Sequence, residues 1–206
     1  MYSIIRIIIG CIFLLCSFIF IKKSKAIRKR LLFIVFTILS VILVTVLGFV
    51  PFENLFVTFD SPKAAYEYYF LGKSNIEMIV EGDTCDFVAD RKKDNVNNIL
   101  IIPKTADGWK VGIGLNIKRL DHKFSNGIVF DVYQYKDTND YFITVFDTNG
   151  GESTISDENN TEFIPSKERY IDPLGKSFVT YYAHLTDFGP NYTVTVNGNI
   201  ISFKDQ

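Results

Sequence analysis

KKSKAIRKR, Lys22 to Arg30, lies between two apolar runs and carries six positive charges, on Lys22, Lys23, Lys25, Arg28, Lys29 and Arg30. The run before it, Tyr2 to Ile21, is broken only by Arg6. The run after it, LLFIVFTILSVILVTVLGFV from Leu31 to Val50, has no charge. A helix rises about 1.5 Å per residue, so about 20 apolar residues cross about 30 Å of hydrocarbon. Both runs therefore read as transmembrane helices, 2–21 and 31–50, with Arg6 close enough to an end to snorkel to the interface. Short loops rich in Lys and Arg stay on the cytoplasmic side. Against the six charges of the loop stand only Arg6 at one end and Lys63 beyond the other. The reading is a multi-pass plasma-membrane protein: an anchor over 1–50, a cytoplasmic loop over 22–30, and residues 51–206 outside. The loop also suits anionic headgroups, at about 1 kcal/mol per basic residue.

The charges of the two parts differ in sign. Residues 1–50 hold no Asp or Glu, whereas 51–206 hold all 23 acidic residues and 15 of the 22 basic ones, a formal charge of −8. An acidic outer part argues against nucleic acid as a partner, because phosphates require a cationic surface. The bilayer is the expected partner, together with another membrane or envelope protein. IIGC, Ile8 to Cys11, has the outline of a lipid-attachment site. Too few apolar residues separate Arg6 from Gly10, and the run continues past Cys11, so the Cys is not read as lipidated. Cys85 is alone outside the membrane part, so no disulfide within the outer domain is available and the core must hold it.

Past a short link, SPKAAYEYYFLGK predicts an amphipathic helix of about ten residues, with Ser61 as N-cap, Pro62 at the first turn and Gly72 as the stop. IEMIVEG and TCDFVAD then alternate, placing Ile76, Met78 and Val80, and Cys85 with Phe87, on shared faces. NILIIPK reads as a buried strand and GWKVGIGLNIK as a fourth. GIVFDVYQY and YFITVFD flank the turn KDTND, and 149–176 reads as a long surface loop. SFVTYYAHL and NYTVTV lead to Asn197-Gly198, a strong hairpin signal. The fold class is α+β: a helical hairpin, then one amphipathic helix and about eight or nine mostly antiparallel strands. The outer part is either one domain or two pieces, 59–120 and 125–206, meeting near Asp121 to Asn126.

The anchor, the SPKAAYEYY helix, the paired strands and the DGWKVG strand resemble small membrane-anchored envelope proteins of low-GC Gram-positive bacteria. The resemblance covers roughly residues 59–114. It implies a location and no activity.

No catalytic constellation emerges. Ser177, His184 and Asp187 have the residue types of a hydrolase, but His184 and Asp187 have opposite parity on a strand. Cys85 is a nucleophile candidate with His122 or His184, yet its phase with Phe87 places it in a core. One such Cys and two scattered His lack zinc spacing. Asp137 to Asp140, Asp147 to Glu152, Asp157 and Glu158 offer oxygen ligands without the order of a calcium-binding loop, and turns favour Asp and Asn in any case. Asn159 and Asn191 open glycosylation sequons, which mean nothing in a bacterial host. Trp109 is the candidate ligand contact, as part of an aromatic stacking surface. The expected function is a non-enzymatic binding or scaffolding module at the cell envelope, with no cofactor. The rivals are a cell-surface hydrolase and an accessory subunit of a transport or secretion complex.

Overall fold

A computed structural model describes residues 2–23, 26–49, 52–70, 74–91, 97–111, 117–167, 169–171 and 175–203. The apolar runs fold as α1 (Tyr2–Lys23) and α2 (Ala26–Phe49). They pack on each other, the rings of Phe13 and Phe36 meeting edge to face at 6.3 Å. The expected loop shrinks, because Lys22 and Lys23 close α1 while Arg28, Lys29 and Arg30 belong to α2. Lys and Arg are good helix formers. At the C-terminus of α1 they also suit the helix dipole. Among the described residues no helix is long and apolar enough to cross a membrane. The spans 2–21 and 31–50 therefore rest on hydropathy and charge, and the helical hairpin of the expected fold goes without that support.

After a single 3-10 turn, Phe52–Leu55, comes α3 (Pro62–Tyr69). Ser61 is its N-cap, the hydroxyl accepting from the Ala64 N–H at 3.1 Å. The helix ends at the extended cap Phe70; the expected stop, Gly72, lies outside the described residues. Ser61→Ala should lower the stability of the folded chain by about 1 kcal/mol, read as a shift in the urea midpoint.

Four strands follow: β1 (Ile76–Glu81), β2 (Cys85–Arg91), β3 (Asn97–Thr105) and β4 (Gly108–Trp109). They form an antiparallel meander in sequence order. The meander is buried on both faces. Val88, Leu100 and Ile102 pack under Ala65 and Tyr66 of α3, where the Tyr66 hydroxyl donates to Asp90 at 2.8 Å. On the other face stand Met78, Val80, Cys85, Phe87, Ala89 and Ile101. Ile76 does not join Met78 and Val80 there, as alternation predicts. A register shift between Ile76 and Met78 turns Ile76 toward the α3 side, since one extra residue reverses a strand's facing.

The second sheet contains β5 (Ile117–Ser125), β6 (Ile128–Tyr135), β7 (Tyr141–Asp147), β12 (Thr180–Leu185) and β9 (Ile164–Pro165), ordered β5-β6-β7-β12-β9. Its Tyr135, Phe142 and Tyr182 complete the core begun by Phe87. Its opposite face, with Phe130, Val132, Ile143 and Val145, packs on Val194, Val196 and Ile201. These last belong to a third sheet of β8 (Ile155–Asp157), β13 (Thr193–Val196) and β14 (Asn199–Ser202), ordered β14-β13-β8. β10 (Tyr170–Ile171) pairs with β11 (Ser177–Phe178). The layers thus run helix, sheet, sheet, sheet.

Three expectations need correction. Among the described residues there are fourteen strands, more than eight or nine, because four are two-residue pairings and a fifth, over Ile155–Asp157, has three residues, all too short to show a periodicity. The stretch 149–176 is not a plain loop, since it supplies β8, β9 and β10. GWKVGIGLNIK is not one strand: β4 holds only Gly108–Trp109, and 112–116 lie outside the described residues. Asp121 to Asn126 falls within β5 and its turn, where Asn126 and Gly127 both take positive φ, the conformation a tight hairpin requires. The coarse expectation, β-rich and mostly antiparallel with three helices, matches the structure.

Candidate functional site

The two larger sheets meet at a buried carboxylate. Thr138 closes the turn before β7 by donating its hydroxyl to the Tyr135 carbonyl at 2.7 Å, and this presents Asp140, 2% exposed, to the neighbouring sheet. Asp140 Oδ1 accepts from the Asp83 N–H at 2.8 Å, and Oδ2 from the Thr84 N–H at 2.7 Å. The Thr84 hydroxyl also donates to Oδ2. From β12, His184 Nε2 reaches Oδ1 at 2.6 Å. The Cys85 thiol lies 3.6 Å from Oδ2.

The turn between β1 and β2 is shaped for this contact. A Cβ on Gly82 would stand 2.8 Å from Asp140 Oδ1 and 2.5 Å from the Cys85 carbonyl, so the position accepts only glycine without rearrangement. The Gly82 carbonyl accepts from Lys104 Nζ at 2.9 Å. Lys104 also pairs with buried Asp86 at 3.1 Å, and Asp86 accepts the indole N–H of Trp109 at 2.5 Å. A polar chain therefore runs from His184 through Asp140 and the Gly82 turn to Trp109.

Burial pushes the Asp140 carboxyl up. The Thr84 hydroxyl, the Thr84 and Asp83 N–H groups and His184 outweigh it and hold the carboxyl below the usual carboxylate range. The Cys85 thiol is pushed far up, first by burial and then by the Asp140 charge. That opposes the thiolate a nucleophile needs, and the side chain is 0% exposed. An Asp–His pair is the orienting half of many acid–base devices. Here Thr84 and Cys85 are directed at the carboxylate, where a nucleophile would have to face the imidazole. The arrangement suits a clamp between sheets better than a reaction centre.

The sequence candidates scatter around this seam. Cys85 and His184 come together through Asp140, a residue that sequence reasoning treated as a turn carboxylate and a possible calcium ligand. Ser177 lies on β11, its carbonyl accepting from the Gly151 N–H at 2.8 Å, while the partner of His184 is Asp140 and not Asp187. His122 is half-exposed on β5, its Nδ1 2.9 Å from Asp131, which also takes Arg119 Nε at 2.7 Å. Trp109 packs in the α3 core with its indole N–H used by Asp86. The acidic turns hold local structure. Asp147 accepts from Ser153 and Asn197, and Asp157 accepts from Thr161 and Tyr192. Among the described residues no group of three or more His, Cys, Asp or Glu is arranged to hold a metal ion. Beside the seam an open depression of about 420 Å3 is lined by Asp83, Thr84, Asp137, Thr138, Asn139 and Asp140.

No family model matches the chain, and neither a curated protein nor a solved structure matches it.

Proposed function

We propose that the chain is a membrane-anchored protein whose residues 51–206 form an extracytoplasmic, non-enzymatic domain that binds or scaffolds at the cell envelope. The observation that carries this reading is the surface of α1 and α2. Apolar side chains such as Ile12, Leu15, Phe18, Phe33, Ile38 and Val41 are about half or more exposed. A helix that buries so little apolar surface against protein and still bears almost no polar face belongs in lipid. The described hydroxyls bond to the helices' own backbone: Ser17, Thr37 and Ser40 donate to the carbonyls of Phe13, Phe33 and Phe36, four residues earlier, at 2.7–2.8 Å. That satisfies polar groups where no water is present. The Lys and Arg cluster between the runs then sets the orientation.

The non-enzymatic half of the reading is supported by Asp140, whose oxygens are engaged by structural donors, and by the buried thiol. Brief protease treatment of intact, wall-stripped cells should remove residues 51–206 and leave an α1–α2 fragment. If those residues survive until the cells are lysed, the orientation is inverted and the reading fails.

One observation favours the accessory-subunit reading. A groove of about 480 Å3 between α1 and α2 is lined by apolar residues together with Ser17, Thr37 and Ser40, small polar residues of the kind that let membrane helices approach. If the hairpin fused to an unrelated outer domain retains the membrane partners of the whole chain after crosslinking, that reading takes precedence.

A further inference from the structure

We propose that the tip Leu55–Phe56–Val57 is a lipid-inserted wedge that seats the outer domain on the outer leaflet; this rests on α2 being a membrane span. Phe56 is 82% and Leu55 77% exposed, more than any other large apolar side chain described. The tip is held in this position and does not read as a slack linker. Asn54 exchanges two bonds with Val111, Nδ2 donating to the carbonyl at 3.0 Å and Oδ1 accepting from the N–H at 2.8 Å. From behind, Lys110 Nζ donates to the carbonyls of Asn54 at 2.8 Å and Val57 at 3.0 Å. The two carbonyls that flank the tip, of Asn54 and Val57, are therefore satisfied from within the domain by Lys110, while the apolar side chains of Leu55 and Phe56 stay exposed. An element that enters an interface needs that division.

Chain connectivity identifies the occupant. α2 ends at Phe49, and four of the residues before Phe56 lie in a 3-10 turn, which advances only about 2 Å per residue. The interfacial layer on each side of the hydrocarbon is roughly 5–8 Å deep. A tip leaving the end of a span by so short a path meets headgroups and acyl ends before it meets any other partner. Seating at a second point, beside the helix, would limit tilting of the outer domain about its anchor.

The test uses the full chain with Cys11→Ala and Cys16→Ala. Cys85 remains, since it is fully buried and its raised thiol resists labelling. A single new cysteine is placed by Phe56→Cys, by Leu39→Cys in α2, or by Phe124→Cys on the exposed side of β5, and labelled with an environment-sensitive nitrobenzoxadiazole dye. Each protein is reconstituted in phosphatidylcholine–phosphatidylglycerol vesicles with and without two nitroxide lipids together, one labelled near the headgroup end and one near the methyl end of the acyl chain, so that both interfacial and mid-bilayer dyes are within reach. The dyes at 56 and 39 should lose most of their emission to the nitroxides, and the dye at 124 should lose none. If 56 behaves as 124 does while 39 is quenched, the wedge is overturned and the span stands. If 39 also escapes quenching, span and wedge fall together. A blue-shifted but unquenched dye at 56 means that a second copy covers the tip, which likewise overturns the proposal.

Discussion

Asp140→Ala should destabilise the folded outer domain by about 2–4 kcal/mol in urea unfolding of the purified full chain. The carboxylate accepts from two backbone N–H groups, a hydroxyl and an imidazole, and its removal strands those donors at about 1–3 kcal/mol for each that stays buried. Asp83 and Thr84 are themselves exposed, so water will satisfy some of them, which keeps the expected loss below the full sum. Asp140→Asn retains one acceptor oxygen and should lose less. The pH dependence follows from the depressed folded-state pKa. Its contribution is complete above the ordinary carboxylate value of about 3.9 and is lost as pH falls through the lower folded value. The gap between wild type and Asp140→Asn should therefore be flat from neutrality to about pH 5 and close under stronger acid. A loss under about 0.5 kcal/mol for the Ala variant, or a gap that persists undiminished in strong acid, would show that the carboxylate does not join the sheets.

That carboxylate also marks where the sequence stopped being legible. Local features were readable: Ser61-Pro62 set the start of α3, alternation set β2, and the apolar run set β3 with both faces covered. Asn197-Gly198 made the hairpin expected of it, with φ of 51° and 82°. The same dipeptide at Asn126-Gly127 does the same work and went unread, because the strand before it, IKRLDHKFS, is an edge strand. Edge strands carry charge in place of apolar alternation, which discourages pairing with other chains, and so β5 resembled a linker. Asp140 and Thr84 are 56 residues apart. No periodicity links them, and an Asp ending a turn has the same appearance whether it faces water or a second sheet. Trp109 illustrates the converse case. A lone tryptophan suggests a binding surface in sequence, yet here it completes a core and bonds a buried carboxylate.

The seam has an apolar half whose loss should be larger still. Phe87 is 0% exposed. Its ring stacks on Phe142 at 5.4 Å and lies 5.7 Å from Tyr133 and 6.1 Å from Tyr182, so one side chain of the first sheet meets three rings of the second. Phe87→Ala should cost about 3–5 kcal/mol, a large share of the 5–15 kcal/mol that holds a typical domain. The loss should be uneven. The second sheet keeps its other face, where Phe130, Val145, Val194 and Phe203 form a core that does not include Phe87. The first sheet keeps only the small cluster beneath α3. Hydrogen exchange should therefore accelerate strongly at Val88 and Ile101 in Phe87→Ala while Ile143 and Val145 keep most of their protection. Phe87→Leu, which leaves a smaller void, should recover most of the loss. If Val88 and Ile143 lose protection equally, the sheets unfold as one body and the first draws no separate support from the seam. If neither changes, the aromatic contacts across the seam contribute nothing to holding the sheets together, and residues 59–111 stand on their own core.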